Sequence, residues 1–120
     1  MVSSNIRVRI IGIDTPETKH PNKGLEFYGL EAAEKTKSIL HTQDKVCLLS
    51  DPLADKLDRY GRVLAHVFTT SGIDLGRTLL ESGSARGYYR FPFTRKQEFR
   101  LYETTAKERA LGLWNRSDER

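Results

Sequence analysis

The stretch that decides the fold runs from residue 6 to residue 17 and reads IRVRIIGIDTPE. Apolar residues at positions 6, 8 and 10 alternate with Arg7 and Arg9, and this period of two indicates a β-strand. The predicted strand covers residues 6–13 and stops before Pro16, because proline has no backbone donor and restricts the residue that precedes it. The sequence therefore opens with a strand that is apolar on one face and basic on the other.

Outward from this strand, helical and extended patterns follow one another along the chain. The predicted elements are a helix from Leu30 to Leu40, strands over residues 45–50 and 62–68, a helix over 74–82, an irregular aromatic segment over 84–93, and a helix that follows Thr94 and ends at Gly112. Asp74 is the expected N-cap of the second helix, and residues 94–97 match a capping box for the third. Three strands of this length do not close a barrel by themselves.

Several side chains within these elements have a predicted environment. Cys47 alternates within an apolar strand and is expected in the core, and His66 is expected to be half-buried in the third strand. Leu101 falls on the same predicted side of the third helix as Phe99. The Leu-Trp pair at residues 113–114 is expected to pack back on the core.

Composition narrows the class of protein. The chain has 120 residues, which predicts one domain over residues 1–120. With 38% hydrophobic and 30% charged residues it matches neither membrane proteins nor typical disordered chains, and its single cysteine excludes an internal disulfide framework and a cysteine-built zinc site. No signal peptide is visible at the start of the sequence. The net charge of +4 permits a polyanionic partner.

Two carboxylates flank the turn that follows the first strand. Asp14 and Glu17 can converge there and hold a hard cation, which prefers oxygen ligands, or one of them can act as general base for a water molecule. An aspartate before Thr-Pro also commonly organises a turn by itself. The residues alone leave these alternatives open.

Arginines cluster with aromatic residues at two further places. The DRYGR motif over residues 58–62 suits a phosphate clamp, because guanidinium binds phosphate oxygens through two hydrogen bonds. The same motif also describes a solvated turn in which Gly61 takes an unusual backbone conformation. The segment over residues 86–91, RGYYRF, suits stacking on bases and suits a helix-packing core equally well.

Taken together, these segments resemble the staphylococcal nuclease (thermonuclease-like) family. The resemblance covers about residues 6–115, and its pieces are residues 8–21, Tyr28-Gly29, Glu31-Ala32, residues 58–62, Leu79-Leu80, residues 83–85, Ala106-Lys107 and residues 112–114. It implies an α+β fold, a small Greek-key β-barrel of the oligonucleotide/oligosaccharide-binding (OB) type with three packed helices.

The start of the sequence departs from the family pattern. Family members begin the barrel with two strands before the one that carries Arg9, and a turn there, typically Asp-Gly-Asp-Thr, supplies a second calcium carboxylate. No Asp-Gly-Asp occurs in this sequence, and the stretch before Arg9 is too short for that hairpin. We therefore expect an N-terminally incomplete barrel, weaker calcium binding, and an open strand edge that allows a strand-swapped homo-oligomer.

The resemblance also implies an activity and a site. The implied activity is that of a Ca²⁺-dependent phosphodiesterase, a nuclease that acts on DNA and RNA, favours single strands and has no membrane partner. Carried over by position, Arg9 and Arg62 bind the scissile phosphate and Glu17 activates the attacking water. The other implied contacts are calcium ligation by the Asp14 carboxylate and the Thr15 carbonyl, and substrate binding by Arg59, Tyr60 and Tyr89.

Two other interpretations accompany this one. The missing hairpin favours a catalytically impaired nuclease-like module that binds nucleic acid or protein. The third interpretation is an inactive product of truncation or of a mis-called start codon. Because family members are often secreted, a leader upstream of Met1 is also compatible with the resemblance.

Overall fold

The computed structural model describes residues 6–16, 28–41 and 43–115, and within these ranges it has five short strands and three α-helices. The strands are β1 (Val8–Ile10), β2 (Ile13–Asp14), β3 (Val46–Leu49), β4 (Val63–Thr69) and β5 (Arg86–Gly87). The helices are α1 (Gly29–Ile39), α2 (Leu75–Glu81) and α3 (Lys96–Glu108), and a 3₁₀ turn follows over Gly112–Trp114. No helix in these ranges is long and apolar enough to cross a membrane.

The strands form two separate sheets. In the first sheet β4 is central, with β1 parallel to it on one side and β3 antiparallel on the other. In the second sheet β2 pairs with β5 in antiparallel register. The strands of the described ranges do not close into a barrel, as the sequence predicts, although they number five and not the predicted three, since the first predicted strand is divided and β5 lies in the segment predicted to be irregular. The predicted α+β class is confirmed.

The predicted strand over residues 6–13 is wrong as a single element, because the chain bends at Gly12. The backbone φ of Gly12 is +80°, and a Cβ there would lie 2.5 Å from the ring of Phe93 and 2.8 Å from that of Phe99. Only glycine combines this left-handed conformation with so close an aromatic neighbour. The bend ends β1 in the first sheet and starts β2 in the second.

The core lies between the first sheet and the helices α2 and α3. Its buried residues are Ile11, Ile13, Val67, Leu75, Leu79, Leu80, Ala85, Phe93 and Phe99. Asp74 caps α2 as predicted, since its side chain accepts a hydrogen bond from the N–H of Arg77. The segment 113–114 also packs as predicted: Leu113 is buried, and its N–H donates to the carbonyl of Gly83 at 2.8 Å.

Two predictions for α3 are wrong. Thr94 does not form a capping box, because its N–H and its hydroxyl both donate to the carboxylate of Asp51. Leu101 is not in the core but 66% exposed. It lies two residues after Phe99, which is about 200° around an α-helix, so only one of the two can face the core.

Two predictions for the first sheet are also wrong. Cys47 is exposed rather than buried, because β3 is an edge strand of the described sheet and most of its residues are exposed. His66 is fully buried rather than half-buried, with 3% of its surface exposed. Its ring lies against the rings of Phe93 and Phe99, and its Nε2 is 2.9 Å from the carboxylate of Asp51.

Asp51 is thus the centre of a buried hydrogen-bond network. Its carboxylate accepts hydrogen bonds from the N–H of Leu53, from Thr94 and from the Nε2 of His66. Burial by itself would raise the pKa of Asp51, but the hydrogen bonds from His66, Thr94 and Leu53 lower it to about 2. The ionised carboxylate therefore stabilises the folded state.

We predict that Asp51→Asn destabilises the protein and flattens its stability profile in acid. The native pKa lies below the ordinary value of 3.8, so the contribution is present above about pH 4 and is lost as the pH falls toward 2. An asparagine would also place its N–H₂ group, a donor, against the donors that surround Asp51. Urea unfolding at pH 7 should show a loss of roughly 2 kcal/mol.

The exposed Asp55→Asn serves as the matched control and should change the free energy of unfolding by less than about 0.5 kcal/mol. Equal pH profiles for the two variants would contradict the assignment of Asp51.

Candidate active site

The two predicted phosphate-binding arginines lie in or next to two neighbouring parallel strands. Arg9 is in β1, opposite Leu64 of β4, and Arg62 immediately precedes β4. The N–H of Val63 donates to the carbonyl of Arg7 at 2.8 Å, which extends the pairing to the residue beside Arg62. Residues far apart in the chain are brought together by this parallel ladder.

The guanidinium of Arg62 is held by Asp58. The Nε of Arg62 donates to Oδ2 of Asp58 at 2.6 Å, and the N–H groups of Tyr60 and Arg62 donate to Oδ1. Gly61, with φ of +77°, closes the turn between them. The terminal N–H groups of Arg62 make no hydrogen bond to any residue that the structure describes. The guanidinium is therefore oriented, and its terminal N–H groups are left without a partner among the described residues.

The same contacts explain the ionisation of Asp58. Partial desolvation opposes its charge, but the N–H groups of Arg62 and Tyr60 and the Arg62 guanidinium together hold the pKa of Asp58 below its ordinary range. From the sequence, Asp58 was a member of the DRYGR motif without a role of its own. The sequence signal that could have indicated this role is an aspartate four residues before a candidate arginine, with a glycine turn between them.

Arg59 and Tyr60 form the exposed part of the same turn. Tyr60 is 57% exposed, and its ring lies 5.1 Å from the Cζ of Arg59 and 5.4 Å from that of Arg62. The hydroxyl of Tyr60 accepts a hydrogen bond from Arg59 at 2.9 Å. The motif is therefore both a glycine turn and a cluster of cations around an accessible ring.

The tyrosine that contacts Arg9 is Tyr88. Its ring centroid lies 5.2 Å from the Cζ of Arg9, and its N–H donates to the carbonyl of Gly12. Tyr89, the tyrosine predicted to bind substrate, is directed toward α3, where its hydroxyl donates to Glu103 at 3.0 Å. The sequence did not distinguish Tyr88, because two adjacent tyrosines in an irregular segment give no sign of which one faces which side.

Glu103 is a buried carboxylate that was also missed from the sequence. Besides the Tyr89 hydroxyl, it accepts the N–H of Gly87 at 2.6 Å, so it fixes β5 against α3. Burial and the hydrogen bond to Glu103 raise the pKa of the Tyr89 phenol. The sequence signal for Glu103 is a glutamate on the apolar side of α3, and it can be recognised only once the buried face of the helix is known.

The predicted calcium ligands lie at the end of β2. Asp14 is exposed, pairs in register with Arg86 of β5, and is followed by the exposed Thr15. The predicted base Glu17 lies outside the described residues. A carboxylate and a backbone carbonyl are hard oxygen donors of the kind calcium takes, although calcium needs six to eight. Within the described ranges, no group of three or more His, Cys, Asp or Glu side chains is placed to hold a metal ion.

Comparison with known proteins identifies the family. A family model described as "Staphylococcal nuclease homologue" matches residues 7–116. The chain belongs to the staphylococcal nuclease family. All eight residues of the predicted site fall within that match, and the resemblance stated from the sequence is confirmed.

Three relatives illustrate the family's range. The chain is 38% identical over 112 residues to Endonuclease YncB of Bacillus subtilis, covering 92% of this chain and 52% of the relative. It is 37% identical over 112 residues to the SPbeta prophage-derived endonuclease YokF of the same organism, covering 92% and 37%. It is 35% identical over 109 residues to the Thermonuclease of Staphylococcus hyicus, covering 90% and 62%. The chain thus spans between about a third and three fifths of the length of these nuclease-family relatives.

The two neighbouring tyrosines should differ in their effect on stability. Tyr89→Phe leaves Glu103 without one of its donors and should lower the free energy of unfolding by about 1–2 kcal/mol. The hydroxyl of Tyr88 bonds to none of the residues that the structure describes, so Tyr88→Phe should cost less than about 0.5 kcal/mol. Urea unfolding of both variants measures the difference, and equal losses would contradict the placement of the two hydroxyls.

Proposed function

We propose that this protein is a nuclease that hydrolyses phosphodiester bonds of DNA and RNA with the assistance of calcium. The observation that carries the proposal is the pair of arginines held by the parallel pairing of β1 and β4, with Arg9 in β1 and Arg62 just before β4. Asp58 orients Arg62, whose terminal N–H groups bond to none of the described residues. Membership in the staphylococcal nuclease family and the names of the relatives, two endonucleases and a thermonuclease, support the reaction class.

The chemistry of phosphodiester hydrolysis explains why two arginines are useful. Negative charge builds up on the oxygens of a five-coordinate phosphorus, and donors fixed beforehand around that charge stabilise the transition state. Arg9 and Arg62 each offer a planar fork that matches two phosphate oxygens. The contacts of Arg9 with Tyr88 and of Arg62 with Asp58 restrict both forks before substrate binds.

The attacking water needs a base and a position. In this proposal Glu17 accepts the proton of that water, and the Asp14 carboxylate and the Thr15 carbonyl would hold calcium. A bound calcium ion would supply positive charge beside the phosphate. Since these two residues offer few ligands, water and substrate oxygens would have to complete the coordination.

In this proposal, the exposed turn over residues 58–62 contacts the nucleotides. Tyr60 offers an accessible ring and Arg59 an adjacent cation, a combination that stacks on unpaired bases. This supports a preference for single strands, in which base faces are accessible. The strand-swapped homo-oligomer stays a prediction, as does the contribution of Tyr89 to the nucleotide pocket.

Activity on single-stranded DNA tests the proposal. We expect cleavage in calcium, no cleavage in chelator, and a loss of roughly 10²–10⁴-fold in kcat for Glu17→Gln, which removes the base. The matched control is Glu34→Gln on the exposed side of α1, which should retain full activity. Binding without cleavage by the wild-type chain would overturn the proposal in favour of a nucleic-acid-binding module.

A second experiment separates the arginine from its positioning carboxylate. Arg62→Lys replaces a fork with a point charge and should reduce kcat/KM by roughly 10²-fold. Asp58→Asn keeps the arginine but loosens it, and should reduce kcat/KM by roughly tenfold. The exposed Asp55→Asn is the control for loss of one carboxylate nearby. An Asp58 variant as active as the Asp55 variant would exclude a positioning role.

A further inference from the structure

Three cationic side chains follow one side of α3. Lys96, Arg100 and Lys107 are spaced at four and seven residues, which places them in line over about 16 Å of helix. We call these three residues the α3 basic face. Arg100 and Lys107 are exposed and Lys96 is half-buried, so their charged groups are accessible to a ligand.

Each cation of the α3 basic face lies near an aromatic ring. The rings, with the distance from the cationic centre to the ring centroid, are Phe93 for Lys96 (6.0 Å), Tyr89 for Arg100 (4.7 Å) and Trp114 for Lys107 (4.7 Å). Such contacts position a long side chain while its charge stays in water. The entropy lost on binding a ligand is correspondingly smaller.

Other cations of the same region are neutralised by carboxylates. Arg95 forms ion pairs with Asp74 and Glu98, and Arg77 forms one with Glu81. No ion pair to an acidic residue involves the α3 basic face in the part of the chain that the structure describes. Its charges are therefore available to an external anion.

One carboxylate lies on the same side of α3, but it faces inward. Glu103 is buried, and its two oxygens accept hydrogen bonds from Gly87 and Tyr89. It holds the aromatic segment that carries Tyr89 against the helix. Three cations against one buried carboxylate leave the outer surface positive.

Arg86 connects this surface to the candidate active site. It pairs in register with Asp14 across β2 and β5, which places the two Cα atoms about 5 Å apart. Its Cζ lies 6.0 Å from the ring centroid of Trp114, the same ring that Lys107 contacts. A line of cations thus runs from the predicted calcium ligand to the far end of α3.

We propose that Arg86 and the α3 basic face bind the sugar–phosphate backbone of the strand being cleaved, at nucleotides beyond the scissile phosphate. The ligand assignment rests on the proposed nuclease function. The charges match a polyanion whose phosphates repeat along its length, and the line begins beside the site of cleavage. Affinity therefore grows with strand length up to the reach of α3.

Binding of labelled single-stranded DNA tests this without cleavage. The double variant Arg100→Gln/Lys107→Gln and the wild type are titrated by fluorescence anisotropy in chelator, with oligonucleotides of 4 and 20 nucleotides. We expect roughly tenfold weaker binding of the longer strand and less than about twofold change for the shorter. The salt dependence, as log K against log[salt], should become shallower by about 1.4, or 0.7 for each phosphate that the variant no longer neutralises.

Two controls isolate the position of the charges. Lys35→Gln/Lys37→Gln removes the same charge from α1, and should leave binding of both strands unchanged. Arg100→Lys/Lys107→Arg retains the charges and should retain affinity for the longer strand. Equal losses in the α1 and α3 variants, or equal losses on short and long strands, would overturn the proposal.

Cleavage assays distinguish failure of this proposal from failure of the nuclease function. In calcium, the α3 double variant should show roughly tenfold higher KM on the longer strand with unchanged kcat, as expected when only uniform binding is removed. Length-dependent binding without any cleavage by the wild type would exclude the nuclease function and would still support the α3 basic face as a binding surface. Normal cleavage with an unchanged KM in the α3 variant would exclude the surface alone.

Discussion

The carboxylate of Asp51 connects parts of the chain that lie far apart in sequence. Its oxygens accept hydrogen bonds from Leu53 in its own loop, His66 in β4, and Thr94 just before α3. Because a buried acceptor without donors costs about 1–3 kcal/mol, these three partners are strongly constrained to stay together. The start of α3 is thereby fixed relative to the central strand. This junction in turn positions the aromatic segment before α3 and the cations along α3.

Two more carboxylates serve the same purpose nearer the candidate site. Asp58 orients the Arg62 guanidinium, and Glu103 secures β5 and Tyr89 to α3. Each is occupied by N–H or O–H donors, so its charge serves to position its neighbours. Asp14 differs, since it is exposed and its carboxylate bonds to none of the other described residues. An exposed carboxylate beside a backbone carbonyl at a strand end is the arrangement in which a hard cation can find oxygen ligands.

Short sequence patterns predicted correctly those elements that are determined by residues close together in the sequence. The Asp74 cap of α2 and the strand β4 are determined by residues close together in the sequence, and both were predicted from them. The bend at Gly12 and the side chain of Thr94 depend on partners tens of residues away, so the short motifs predicted a continuous strand and a capping box instead. The same limit applies to the site. The arginine motifs were recognisable, whereas the different directions of Tyr88 and Tyr89 are decided by Arg9 and Glu103.

The net charge of +4 does not by itself show which cations can attract phosphate, because that depends on the contacts that hold each one. A carboxylate partner fixes a cation but cancels its charge, as in the pairing of Arg95 with Asp74 and Glu98. An aromatic ring also fixes a cation, through its face, yet leaves the full charge available to an anion. Arg9 and Arg100 are held in the second way, by neighbouring tyrosines. Along α3, ring contacts therefore combine a fixed geometry with an undiminished charge, whereas Asp58 orients the Arg62 guanidinium and offsets part of its charge.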